Sequence, residues 1–117
     1  MENKKKNMLS NIRFLALFGD MKEITVDKKY ARYTDLTFEK DNKVYGFITE
    51  FDCYAKEIKQ KTGAARKFCD YIYVVTNDTA KRKYIEDNIA KGTGIICYSD
   101  SFGLGMVWQE LKNPICV

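Results

Sequence analysis

Residues 37–52 read TFEKDNKVYGFITEFD. The EKDNK in the middle brings Asp41 and Asn42 together between two apolar-rich runs, the chemistry of a tight hairpin turn. The expected arms are a strand from Arg32 to Phe38 and a strand from Val44 to Asp52. Strand side chains alternate between faces, so Val44, Ile48, Glu50 and Asp52 share one face. That face begins apolar and ends in two carboxylates. If the arms pair, Asp35 on the first strand reaches the same corner. Three carboxylates packed into a poorly solvated site repel, and a hard divalent cation such as Mg²⁺ is the oxygen-loving partner that relieves them.

Outward from the hairpin, Met8, Leu9, Ile12, Leu15, Ala16 and Phe18 recur at helical spacing and Gly19 follows, which predicts a helix over Lys5–Phe18. A weak strand is expected around Ile24 and Val26. Beyond the hairpin, Tyr54, Ile58, Ala65 and Phe68 form a helical stripe over Tyr54–Phe68, with Gly63 lowering its propensity. YIYVVT, 71–76, is β-branched and aromatic throughout, the pattern of a strand covered on both faces at the centre of a sheet. A short helix follows, with Asn77, Asp78 or Thr79 as its cap, Tyr84, Ile85 and Ile89 inward, and Gly92 at its end. GIICYSD is a further buried strand, GLGMVWQEL a last edge strand or hairpin arm, and Pro114 closes the regular structure. The expected fold class is α/β (α+β), a single domain over residues 1–117 with a central mixed sheet of four to six strands flanked by helices.

The totals bound the chemistry. A chain of 117 residues, 45% hydrophobic and 14% aromatic, has the apolar surface for one core. It contains no histidine, which removes Ser-His-Asp and Cys-His nucleophile systems, HExxH metalloproteases and histidine-ligated zinc deaminases. The four cysteines form no CxxC pair, and buried free thiols are expected. A net charge of +4 leans toward polyanionic partners. No apolar run approaches the roughly 20 residues that cross a bilayer, and Arg13 interrupts the first apolar stretch, so neither a membrane span nor a signal peptide is expected and the protein is placed in the cytoplasm.

An Asp on one strand, a Glu at the end of the next after a hairpin, then a helix and a buried DYIYVVT strand resemble the PD-(D/E)XK, or restriction-endonuclease-like, nuclease superfamily. The matching stretch runs from about Tyr33 to Tyr98 with the preceding helix. The resemblance implies an αβββαβ core and Mg²⁺ (or Mn²⁺) held by Asp35 and Glu50, with the carbonyl of Phe51 and the Asp52 carboxylate as further ligands. Where the family places a lysine two residues after the Glu, this chain has Asp52, which reverses the charge beside the attacking water. Lys61, within the Tyr54, Ile58, Ala65 stripe, is the best-aimed substitute, and its bland counterpart is a stem packed on the sheet with a solvated ammonium.

Lys56, Lys59, Arg66 and Lys67 make a basic strip on the second helix, either an ordinary solvated face or the wall of a groove for nucleic acid. The expected activity is Mg²⁺-dependent phosphodiester hydrolysis on DNA. The alternative keeps the fold without the chemistry: a module that binds nucleic acid or a protein partner, such as a phage or mobile-element factor countering a host nuclease system. A homodimer, built around Leu104 and Trp108, is a further expectation.

Overall fold

The structure, a computed structural model, describes residues 2–30, 32–50, 55–76, 81–100 and 106–115. Its elements are α1 (Glu2–Phe18), β1 (Lys22–Glu23), β2 (Leu36–Lys40), β3 (Lys43–Thr49), α2 (Ala55–Ala65), β4 (Tyr71–Thr76), α3 (Arg82–Glu86), β5 (Gly94–Asp100) and β6 (Met106–Lys112). All six strands form one sheet in sequence order. The pairs β1–β2, β2–β3 and β5–β6 are antiparallel, whereas β3–β4 and β4–β5 are parallel. The mixed sheet flanked by helices is the expected class.

The turn between β2 and β3 is the tightest the chain could make. Lys40 pairs with Lys43, and Asp41 and Asn42 both take positive φ, 53° and 64°. Two left-handed residues in a two-residue loop match the twist of the flanking strands, and Asp and Asn tolerate that conformation better than most side chains.

The sheet is covered on both faces. On one, Met8, Ile12 and Ala16 of α1 pack against Leu36, Phe38, Phe47, Val75 and Ile96. On the other, Ala65 and Cys69 meet Ile48 and Ile72, while Ile58 of α2 and Ile85 of α3 meet Val74 and Ile95. The central strand is β4, between β3 and β5, as YIYVVT requires. Within α2, Thr62 is fully buried on the apolar stripe. Its hydroxyl donates to the Ile58 carbonyl at 2.8 Å and accepts from the Ala90 amide at 3.0 Å, so the polar group is satisfied.

Parallel pairing of β3 with β4 is fixed at its start. The Asp70 carboxylate accepts from the Val44 amide at 2.8 Å, and the Asp70 amide donates to the Val44 carbonyl at 2.8 Å. Tyr45 stacks on Tyr71 and Phe47 on Tyr73, with ring centroids 4.9 and 5.3 Å apart. Gly46 leaves room for Cys69, whose sulfur would lie 2.8 Å from a Cβ at that position.

Several expectations shift. The first strand forms at Lys22–Glu23 rather than around Ile24 and Val26, although the Ile24 amide still donates to the Thr37 carbonyl. β2 starts at Leu36 and not Arg32, because Tyr30 and Tyr33 close turns onto Asp27 and Tyr30. Tyr84 is 46% exposed rather than inward. A helix of five residues presents one apolar position to the sheet, and Ile85 takes it. The expected caps at 77–79 lie outside the described residues; Lys81 is the cap residue, with no side-chain cap bond. Gly92 has positive φ but turns the chain after α3 has already ended at Glu86.

The segment after β6 runs on beside the start of β5, keeping the register of the Ile95–Lys112 pair. Pro114 sits where a Cβ on Gly94 would lie, at 2.9 Å, and the Ile115 amide donates to the Gly92 carbonyl. Arg66 clamps this corner, donating to the carbonyls of Lys91 at 2.8 Å and Ile115 at 3.2 Å. Cys69 and Cys97 are free and buried, and Cys53 and Cys116 lie outside the described residues. Burial, helped by Asp70 and opposed by Arg66, pushes the Cys69 thiol from an ordinary 9.0 up to about 12.

Urea unfolding should separate two glycines. Gly46→Ala collides with Cys69 and Thr34 and is expected to lose about 1–3 kcal/mol, less than the sum of the single losses when combined with Cys69→Ala. Gly63→Ala, on a helix position with nothing within 4 Å, is expected to gain about 0.5–1 kcal/mol. Because the folded Cys69 holds its proton more tightly than the unfolded thiol, its contribution to stability is complete below pH 9.0 and is lost as pH rises toward about 12. A Cys69→Ala variant should show a shallower loss of stability across that alkaline window.

Candidate active site

Glu50 sits where the ends of β3 and β4 meet. Thr49 pairs with Val75, and the next residue, Glu50, donates its amide to the Val75 carbonyl at 3.1 Å. Glu50 therefore continues β3 at the carboxyl end of a parallel pair, the kind of crevice in which open mixed sheets gather their functional groups. By strand alternation it shares the face of Ile48, the side covered by α2, while Thr76 shares the face of Val74 beside it.

Glu50 is only 4% exposed. An ionised carboxylate so deeply placed needs strong partners. The Thr76 hydroxyl donates to Oε1 at 2.9 Å, and the Lys81 ammonium lies 3.3 Å from Oε1 and 3.5 Å from Oε2. Lys81 itself keeps 44% of its side-chain surface in solvent. The pair thus joins a buried anion to a half-solvated cation at the start of α3.

Asp35 arrives from the other hairpin arm. Its amide donates to the Phe47 carbonyl at 2.9 Å, and its Oδ2 accepts from the Thr49 amide at 2.7 Å and the Thr49 hydroxyl at 2.9 Å. The carboxylate is thus bonded twice to the residue that precedes Glu50. Asp35, Thr49, Glu50, Thr76 and Lys81 are therefore linked through hydrogen bonds and one peptide bond at the mouth of the hairpin.

The remaining predicted residues fall elsewhere. Asp52 and Phe51 lie outside the described residues, as does Leu104; Trp108 belongs to β6, with no side chain described. Among the described residues, no three His, Cys, Asp or Glu side chains converge as a ready-made metal cage. Lys61 is half-buried and lines a groove of about 320 Å³ with Arg32, Tyr33, Glu57 and Gln60. Lys56, Lys59 and Lys67 are exposed. Arg66 departs from that basic strip, because its guanidinium is engaged by the Lys91 and Ile115 carbonyls.

Sequence reasoning missed Lys81, Thr76 and Thr49. The available signal was positional: TNDTAKRKY follows the end of β4, so the first basic residue of the next helix lies near the strand ends. Among the described residues, no helix is long and apolar enough to cross a membrane. Comparison with protein-family models, curated proteins and solved structures returns no match.

Removing Lys81 leaves the Glu50 charge buried against a single hydroxyl. Lys81→Met is expected to lower stability by about 1–2 kcal/mol, less than a fully buried pair because water screens the lysine. Adding Glu50→Gln should recover part of that loss, and urea denaturation of the four proteins in the cycle reads the coupling.

Proposed function

We propose that the chain is a divalent-metal-dependent nuclease of the PD-(D/E)XK type that acts on DNA in the cytoplasm. In this reading Asp35 and Glu50 hold Mg²⁺ or Mn²⁺, with the Phe51 carbonyl and Asp52 as further ligands, and Lys81 takes the part of the lysine that Asp52 displaces. The observation that carries it is the Lys81 ammonium 3.3 Å from Glu50, on the residue that follows Asp35's hydrogen-bond partner. The donor set fits the ion: carboxylate oxygens are what magnesium prefers, and it binds through one or two of them while keeping water and substrate phosphate.

The chain's own residues have distinct tasks. Thr76 fixes the Glu50 carboxylate in one orientation, and the Thr49 amide and hydroxyl do the same for Asp35. Lys81 brings positive charge to the place where a phosphodiester must sit, and its solvated half leaves it able to swing from Glu50 to a phosphate oxygen. A metal ion, when bound, lowers the pKa of its water and stabilises charge developing on phosphorus.

A second reading rests on the same pair seen differently. Lys81 pairs directly with Glu50, as expected of a module that keeps the fold and binds nucleic acid or a protein partner, such as a phage or mobile-element factor countering a host nuclease system. A homodimer is compatible with either reading.

Isothermal titration with Mn²⁺ separates them. The nuclease reading expects binding that Glu50→Ala abolishes, together with cleavage of plasmid or single-stranded DNA that Lys81→Met lowers about a hundredfold or more while metal binding persists. Absence of binding at millimolar Mn²⁺ removes the enzymatic reading, and tight partner binding indifferent to joint replacement of Asp35 and Glu50 favours the module.

A further inference from the structure

The groove between α2 and the turn before β2 has the composition of a nucleotide site. The Arg32 guanidinium lies over the Tyr33 ring, 4.9 Å from its centroid, and donates to the Tyr33 hydroxyl at 2.7 Å. The guanidinium thus sits at the hydroxyl end of the ring, and both groups line the groove. The opposite wall is α2, where Glu57, Gln60 and Lys61 stand at helical neighbour spacing and face Arg32 and Tyr33.

A volume of about 320 Å³ lies at the small end of ligand pockets, room for one nucleotide unit rather than a duplex. In sequence, both walls lie close to the acidic residues. Tyr33 lies two residues before Asp35, and α2 begins five residues after Glu50.

We propose that this groove seats one unpaired nucleotide of single-stranded DNA beside the Asp35–Glu50–Lys81 site. The proposal rests on the reading of the chain as a protein that acts on DNA, and specifies the form of its substrate. The base stacks on the Tyr33 ring with the Arg32 guanidinium at its edge, since every base offers a π face that an aromatic ring accepts. Lys61 and Arg32 supply the positive charge that a phosphate needs, and the exposed Lys56 adds to it from the position before Glu57. Glu57 and Gln60 offer acceptors, and Gln60 also donors, to the edge of the base. Duplex DNA is disfavoured because its base faces are already covered by stacking.

Fluorescence anisotropy with a labelled oligothymidylate, in EDTA at low salt, tests this without metal. The single strand should bind more tightly than a duplex of equal length. Tyr33→Leu and Arg32→Met should each weaken it about tenfold, while Phe14→Leu, an exposed aromatic on α1 across the sheet, stays within about twofold. Amide shifts on adding thymidine 5′-monophosphate to wild-type protein should concentrate at residues 32–33 and 57–61, a readout that requires no variant to fold. Equal binding by the Tyr33 and Arg32 variants, duplex binding as tight as single-strand binding, or shifts confined to other residues would overturn the proposal. Groove-dependent strand binding without cleavage in Mn²⁺ would sink the nuclease reading and leave the groove standing. Cleavage indifferent to Tyr33 and Arg32 would do the reverse.

Discussion

The register between β3 and β4 is the constraint on which the rest of the molecule depends. It is parallel, so no short turn enforces it, and the chain must set it through side chains. Asp70 grips both polar groups of Val44, two tyrosine-containing stacks align the strands, and Gly46 admits the Cys69 sulfur. A shift of one residue would send every side chain of β3 to the other face. Glu50 would then face α1, away from Thr76 and Lys81.

Once the register is set, the site's electrostatics follow. A carboxylate at 4% exposure costs desolvation energy, and its partners come from two further elements. Thr76 ends β4 and Lys81 opens α3, so the buried charge ties together the hairpin, the central strand and the short helix. Such a network specifies one arrangement more than it adds net stability. The same dependence makes the corner responsive to anything that competes for Lys81, whether salt or a phosphate group.

Legibility in the sequence followed the range of the interaction. The hairpin was readable because Asp41 and Asn42 act locally on two φ angles, and β4 because burial on both faces writes a continuous apolar run. Asp35 and Glu50 could be placed at one end of the hairpin by pairing and alternation alone. What could not be read was what reaches them from afar. Helical geometry singled out Lys61 for its position on the stripe, yet the ammonium set against Glu50 is that of Lys81, 31 residues along the chain. Arg66 looked like part of a charged strip, and only the tertiary approach of Lys91 and of Ile115 gives its guanidinium two carbonyls. Tyr84 fitted an inward pattern that a helix of five residues was too short to honour.

The packing of residues 113–115 along the start of β5 carries a consequence for the order of assembly. Arg66 meets carbonyls 25 and 49 positions later in the chain, and Pro114 covers Gly94 only after all six strands have been synthesised. The hairpin can form early, since its ends are close and its closure entropy small. The opposite end of the sheet is sealed last. A nascent chain therefore holds a nearly finished acidic corner while the far rim, with its bare glycine, still waits for its cover.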